Sequence, residues 1–485
     1  MKKFIAIILV SVMICLLFAG CGSKAAPEIE SVSAPEVIEL TGKSAKYSGK
    51  GVVINSNVIT INAEGDYHMT GRLDDGQIVI NTGNVAGTVY LYLENVDLNC
   101  LTAPAIYVLQ AEKLHIVLPE GTNNRIVSGT EANMANYDSS ANGGAIFGED
   151  DIDIEGAGSL EIFGYINNGI TCKDDMKIEG GNVTITAANN GIKGSESVTV
   201  EAGNLSITCG NDGLKSSSAD KDGKGYVQID GGIVSINSVG DGISAETELI
   251  INGGSLSVTT TGNSLTESCK AVKANKALTI SGGTLDLVSD DNCISTNEAL
   301  IVSGGIINAV SSSRKGMHAD EMIQITGGTM NISSVEDGIQ TKGDISISGG
   351  DISVRSEEDC IKSGEKGDGT VSTTGTVTVS GGDLKLCAVG DPVEAKLSFV
   401  CSGGSIFGTG SPKNSQKPDS SSQSFISVSF RGKAGDVLTV FGEGVESSLE
   451  AAYDYTSVLF TSSGLSSGSS YKLSTADSSA TVTAN

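Results

Sequence analysis

Tryptophan is absent from this 485-residue chain, and aromatic residues make up only 4% of it. A ligand surface built chiefly from stacked rings is therefore excluded. Three histidines are present, His68, His115 and His318, and none stands in a hydrolase motif. No Ser-His-Asp relay is legible. Basic residues are scarce as well. Lys and Arg number 31 against 58 Asp and Glu, for a net charge of −27. Such a chain repels nucleic acid and attracts cations. Eight cysteines follow Cys15 and Cys21, with no CxxC pair among them, which excludes the usual zinc sites. They read as small buried residues or free thiols. Cys269 and Cys293 are the pair that neighbouring coils could join in a disulfide.

Long apolar runs are missing except at the start. Lys2 and Lys3 precede an apolar stretch from Phe4 to Phe18, followed by Ala19-Gly20-Cys21. The run suits the core of a signal peptide better than a membrane span. The small-small-Cys ending resembles a bacterial lipoprotein cleavage site. It makes Cys21 the lipidated first residue of a mature chain held on the extracellular face of a bacterial membrane. Residues 1–20 are then the signal peptide. Small residues with Pro27 and Pro35 form a tether to about Val37, and residues 21–49 are set apart from the strand-rich chain beyond.

Glycine, by contrast, is abundant, with 63 residues, and it is periodic. A small turn, usually Gly-Gly, recurs with its second glycine at Gly181, Gly203, Gly232, Gly254, Gly283, Gly305, Gly328, Gly350, Gly382 and Gly404. The basic step is 22 residues, as from Gly181 to Gly203. Each turn is followed by two apolar residues two apart, such as Val183/Ile185 and Leu205/Ile207. Then come a polar corner, a small residue and one apolar residue, as in Asp212-Gly213-Leu214 and Asp241-Gly242-Ile243. A fixed period of this length marks a solenoid, and the period-two alternation marks strands with one buried face. Three short strands per copy give an all-β, single-stranded parallel β-helix, about 50 Å long for ten coils.

The regular coils span residues 151–409. Residues 50–150 are strand-like but irregular, and read as an N-terminal cap with larger first coils, because a solenoid end must cover its exposed core. Residues 410–485 read as a linker and a C-terminal β cap. Insertions occur at Ser216–Gly225, Gly262–Ser268 and Gly364–Gly375, and insertions in solenoids commonly frame a binding face.

Equivalent positions of successive coils stack. The corner therefore becomes a row: Asn168, Asn190, Asp212, Asp241, Lys270, Asn292, Lys315, Asp337, Asp359 and Asp391. Two residues past the following small residue lies a second row, with Lys193, Lys215, Lys273, His318, Lys362 and Glu394. Carboxylates about 4.8 Å apart repel by about 1 kcal/mol in water and roughly 3–4 kcal/mol at an effective dielectric of 20. A hard divalent cation would offset this. Asp212, Asp220, Asp222, Asp241, Glu336, Asp337, Glu358 and Asp359 are the calcium-ligand candidates. The bland alternative is that Asp-Gly and Asn-Gly corners are simply good turn formers. A long regular edge suits a long regular ligand. Lys193, Lys215, Lys273, His318 and Lys362, with Tyr226 as a ring, are the carbohydrate-binding candidates, and an acidic polysaccharide fits their charge.

One combination of motifs has a wider likeness. Asn211-Asp212-Gly213-Leu214-Lys215 leads through Lys224-Gly225-Tyr226-Val227 to Gly231-Gly232. Upstream stand Asp75-Gly76-Gln77-Ile78, Ala103-Pro104-Ala105-Ile106-Tyr107 and Gly143-Gly144-Ala145-Ile146. The chain resembles the bacterial carbohydrate-binding β-helix proteins, relatives in fold of the pectate lyases, over roughly residues 50–485. The resemblance implies a right-handed parallel β-helix, calcium binding, and affinity for cellulose or acidic plant polysaccharides. Asn168, Asn190, Lys270 and Lys315 depart from the expected Asp, which weakens any calcium site on those coils. Three readings follow: a lipid-anchored, non-catalytic polysaccharide-binding protein, a calcium-dependent polysaccharide lyase, and an adhesin or spacer. Lys215, Lys273 or Lys362 would be the base of the lyase.

Overall fold

The computed structural model describes residues 36–83, 87–134, 143–219, 222–364, 374–411 and 417–485. The apolar run, Cys21 and Asp220 lie outside the described residues. Among the described residues no helix is long and apolar enough to cross a membrane.

The chain forms long parallel sheets in a solenoid. Each regular coil contributes one strand to each of three columns. The first column follows the glycine turn, as in Asn182–Ala187, Asn204–Cys209, Ile233–Ser238 and Ser255–Thr260. These strands pair in parallel without slip, Val183 with Leu205 and Leu205 with Val234. The second column follows the corner, in three-residue strands such as Ile192–Gly194, Leu214–Ser216 and Ile243–Ala245. The third precedes the next glycine turn, as in Ser197–Val200 and Tyr226–Ile229. Alternate residues turn inward: Leu205, Ile207, Leu214, Val227 and Ile229 are all buried. Each meets its counterpart in the next coil, so one apolar column runs through the rod.

The recurring second glycine has two causes. Gly203 and Gly232 take φ of +87° and +80°, where a side chain is strained. A Cβ on Gly203 would also stand 2.7 Å from the Gly181 carbonyl oxygen, and one on Gly232 2.8 Å from that of Gly203. Coil-to-coil contact at this turn is backbone on backbone, and it leaves no room for a methyl group.

The fold begins earlier than residue 50. Val37–Gly42 lies inside the stretch expected to be a tether, yet it pairs in parallel with Gly65–Leu73 and buries Ile38 and Leu40. Thr88–Cys100 continues that sheet on Gly65–Leu73. The corner column starts at a hairpin, Val52–Asn55 against Val58–Ile61. On the outer face here, His68 stacks on Tyr92 at 4.4 Å and His115 on Tyr90 at 4.3 Å, so two of the three histidines serve cross-strand stacking.

At the other end, Ser398–Gly410 pairs antiparallel with Tyr455–Thr461, which also pairs with Phe425–Gly432. A four-stranded antiparallel sheet follows, built from Val437–Gly442, Val445–Glu450, Ser470–Ser474 and Ser479–Thr483. Its core, with Phe430, Leu438, Tyr455, Phe460 and Tyr471, is separate from that of the rod. Cys269 and Cys293 are free and buried, so the disulfide admitted above does not form.

Candidate functional site

The corner edge gathers most of the chemistry. Strand register places Thr171, Lys193, Lys215, Ser244, Lys273, Ser295, His318, Gln340, Lys362 and Glu394 in one continuous row. Ser244 and Ser295 are buried, and the longer side chains are half-buried.

The corner row beside it is inside the wall. Asn168, Asn190, Asp212, Asp241, Asp337 and Asp359 are all buried. Their side chains act as a relay. Asn190 N–H donates to Asn168 Oδ1 at 3.0 Å, Asp212 N–H to Asn190 Oδ1 at 3.2 Å and Asp241 N–H to Asp212 Oδ1 at 2.8 Å. Lys270 N–H donates to Asp241 Oδ1 at 2.8 Å, and Asp391 N–H to Asp359 Oδ1 at 2.8 Å. Each of these Asn and Asp corners thus satisfies the backbone of the coil that follows, which a buried N–H requires, whereas after the Lys270 corner the Asn292 N–H turns to Asp291 of its own coil.

The remaining carboxylate oxygens face the lysine row. Lys215 Nζ donates to Asp212 Oδ2 at 2.6 Å, and Lys362 Nζ to Asp359 Oδ2 at 2.9 Å. Lys273 stands 3.5 Å from Asp241 Oδ2. Where the corner is a lysine, the acid moves one coil on and one residue back. Lys270 pairs with Asp291 at 2.7 Å, and Lys315 with Glu336 at 2.7 Å. Burial pushes the Asp212 and Asp337 carboxyls up, and Lys215 and Lys362 pull them back. The two rows neutralise each other, so Asp212 and Asp241 have both oxygens committed inside the protein, and Asp337 Oδ1 meets both the Asp359 N–H and Lys362.

The other candidates are dispersed. Glu358 and Asp222 are exposed. Tyr226 pairs with Ser197 in the third column and does not join the lysine row. Lys193 differs from its neighbours, because its corner partner is Asn190. Among the described residues it has no carboxylate partner. Burial, then the Lys215 charge, lowers its pKa.

The tightest acidic group was only partly visible in the spacing. Asp359, Asp391 and Glu394 bring one carboxylate oxygen each within 4.8 Å of one another. Asp391 Oδ1 is buried without a hydrogen-bond partner. Burial, then Asp359, pushes Asp391 up to about 6. Burial opposes ionisation of Glu394 too, but its contacts with Asp359, Lys396 and Lys362 outweigh it and hold the group down to about 2. Crowded carboxylates with an unused oxygen fit a hard cation that takes oxygen ligands. Asp391 and Glu394 sit at repeat positions already read as corner and row, so the signal was present in the spacing.

A cleft of about 540 Å³ opens farther up the edge, between the loop at 264–268 and the row, lined by Lys270, Arg314, Lys315 and His318. Asp290 Oδ2 anchors the loop through Ser264 N–H at 3.2 Å, and Leu265 at its tip is 84% exposed. Burial, then Lys315, lowers His318 to about 4, which leaves it neutral at neutral pH. The cleft therefore carries on one wall basic residues paired with Asp291 and Glu336, and an apolar tip above them.

A profile of the family described as carbohydrate-binding domain-containing proteins matches residues 55–316 and 309–454. The chain belongs to this family. A protein of the same description from Acetivibrio thermocellus is 32% identical over 185 residues, which is 37% of this chain and 64% of that protein. The match thus spans just under two thirds of that relative. A solved structure described as the polysaccharide lyase-like protein from C. thermocellum, a gadolinium derivative, is 32% identical. It aligns over 50% of this chain and 96% of its own, with a TM-score of 0.46. The profile covers the rod from its first coils and runs on through the cap strands Phe425–Gly432, Val437–Gly442 and Val445–Glu450.

Proposed function

We propose that this chain is a non-catalytic polysaccharide-binding protein whose ligand lies along the corner edge of a right-handed coil. In this reading Cys21 carries the lipid that anchors the chain outside a bacterial cell. Family membership supports a glycan ligand. The observation that carries the reading is the unbroken lysine-bearing row beside the 264–268 cleft. Lys193 and Lys215 stand in adjacent coils, Lys273 lies two coils on and Lys362 four beyond that, and a carboxylated glycan laid along the row offers charge to each of them. Calcium is the proposed cofactor, held by Asp359, Asp391 and Glu394 at one end of the row. It would supply charge neutralisation there.

Catalysis by β-elimination is the second reading, and Lys193 favours it. A half-buried lysine of lowered pKa beside an amide corner is suited to take a proton. In that reaction the base removes the proton α to a uronate carboxylate. The bond to the departing glycosidic oxygen breaks, that oxygen takes a proton from water, and a carbon–carbon double bond forms. Lys362 is unsuited, because hydrogen bonds and charge from Asp359 and Asp337 outweigh burial and push its pKa up.

The test incubates the full chain with polygalacturonate and with cellulose, each with calcium or chelator. Retention without ultraviolet absorbance is expected, with weaker retention in chelator. Absorbance that rises in wild type and not in Lys193→Ala would replace binding by lysis.

A further inference from the structure

The C-terminal cap carries an aromatic ring open to solvent. Among the described residues Phe441 is the only exposed aromatic side chain, at 58%. It stands on Val437–Gly442, where alternation buries Leu438 and Val440 in the cap core and turns Val437, Thr439 and Phe441 outward. The register sets what surrounds the ring. Glu446 lies directly opposite it on Val445–Glu450, and Lys472 directly opposite on Ser470–Ser474. Both are exposed. Facing residues of an antiparallel pair stand about 5 Å apart. A carboxylate and an ammonium therefore flank the ring at close range.

The strip continues along the same two strands. Ser448 opposes Thr439, and Glu450 opposes Val437. The strand from Glu446 to Glu450 covers roughly 13 Å. Its far end meets the rod. Two cavities of about 210 and 340 Å³ open there, and Arg355 and Glu450 line both. Lys385 and Ser448 line the smaller, and the half-buried Tyr453 lines the larger. Arg355 and Lys385 come from neighbouring coils of the first column and are exposed on its outer face. The rod is thus a wall at one end of the strip, with the ring at the other.

The polar groups decide the ligand. Arg355, Lys385 and Lys472 donate, Glu446 and Glu450 accept, and the hydroxyls of Thr439 and Ser448 do both. Charges of both signs are interleaved. An anionic sugar would meet Glu446 beside the ring and Glu450 at the wall. An uncharged polyhydroxyl ligand meets neither repulsion, and its hydroxyls need donors and acceptors together. The C–H face of a sugar ring matches the apolar area that Phe441 offers. A strip of this length and two strands' width is far below the ~800 Å² per partner of a stable protein interface.

From this arrangement we infer that the cap binds a short neutral oligosaccharide, one ring stacked on Phe441 between Glu446 and Lys472, and the chain running past Thr439 and Ser448 to Arg355 and Glu450 at the rod. The site is separate from the corner edge and holds whether or not that edge binds polymer.

Calorimetric titration of the full chain with cellotriose, xylotriose and maltotriose tests it, with trigalacturonate as the charged counterpart. The proteins are wild type, Phe441→Thr, Phe441→Tyr, Arg355→Ala and Lys215→Ala. At least one neutral trisaccharide should bind saturably. Phe441 and Arg355 are exposed, so their variants should fold. Phe441→Thr should weaken that binding about tenfold, the scale of one lost aromatic contact, and Arg355→Ala by a similar factor. Phe441→Tyr, which keeps the ring, and Lys215→Ala, on the corner edge, should leave it unchanged. Trigalacturonate affinity should be the same in Phe441→Thr as in wild type. No saturable binding of any neutral trisaccharide, unchanged affinity in Phe441→Thr or in Arg355→Ala, or weaker trigalacturonate binding in Phe441→Thr would overturn the assignment. Loss of neutral-sugar binding in Lys215→Ala would move the ligand to the corner edge and overturn it as well. Sedimentation equilibrium of wild type and Phe441→Thr addresses the other occupant: a wild-type dimer that Phe441→Thr dissolves would give the face to a second copy and overturn the sugar site.

Discussion

Lys215 Nζ donates to Asp212 Oδ2 at 2.6 Å, while the other oxygen of the same carboxylate accepts the Asp241 backbone N–H at 2.8 Å. One side chain therefore joins a surface cation to the hydrogen-bonding of the next coil. Asp212→Asn should keep the acceptor for Asp241 and be tolerated. Lys215→Met should cost more, about 1–3 kcal/mol, because it leaves a buried carboxylate uncompensated. Combining the two should recover most of the loss. Urea denaturation of the three variants checks this, and equal losses for both single changes would count against it.

The glycine turns allow a paired comparison. Gly232→Ala meets both a positive φ and a carbonyl oxygen 2.8 Å away, whereas Gly223→Ala, at φ +72°, meets open space. The second should cost about 1 kcal/mol from backbone strain alone. The first should cost clearly more and fray the coils on either side. Hydrogen exchange across the first column would locate the fraying.

Calcium added to the chelated chain should raise its melting temperature by ~2 °C or more, through preferential binding to the folded state. Asp391→Asn should abolish the rise, and Asp241→Asn, whose carboxylate oxygens are already occupied, should not. A rise of equal size in both variants would move the ion elsewhere.

His318 gives a pH dependence of defined sign. Its folded pKa, about 4, lies below the ordinary histidine value of 6.5, because burial and then Lys315 disfavour the charged ring, with Lys342 and Lys270 adding to this and Asp320 opposing it. Between these values the unfolded chain binds more protons, so stability rises with pH from about 4 to 6.5. His318→Gln should flatten that part of the melting-temperature curve. An unchanged slope would show that other groups govern it.

Much of the rod is legible in the spacing. The ten recurrent glycines fix where each coil turns, and all ten take a positive φ. The row from Lys193 to Glu394 follows from counting, because parallel in-register strands leave no freedom in which residues become neighbours. What counting cannot give is the direction of a carboxylate. Asp212 and Asp391 occupy the same repeat position, yet one is spent on Asp241 and Lys215 and the other keeps an oxygen unused. Tyr226 looked close to Lys215 in sequence, but a turn of the coil separates them into different columns. The strand at Val37–Gly42 carries no glycine signature, and only its pairing with Gly65–Leu73 reveals it.

The corner relay also has a direction. Every link between an Asn or Asp corner and the next coil passes from a side chain to the following amide, with breaks at Lys270 and Lys315, so each run of the rod is polar in the way a crystal can be, with one end that only receives and one that only offers. Among the described residues Asp391 is the last corner, and its Oδ1 takes no hydrogen bond. The same unfinished bond that leaves this oxygen open would be the point of attachment for an added repeat. Lengthening the rod by one coil after Asp391 should therefore consume the acidic cluster and re-create it 22 residues further on.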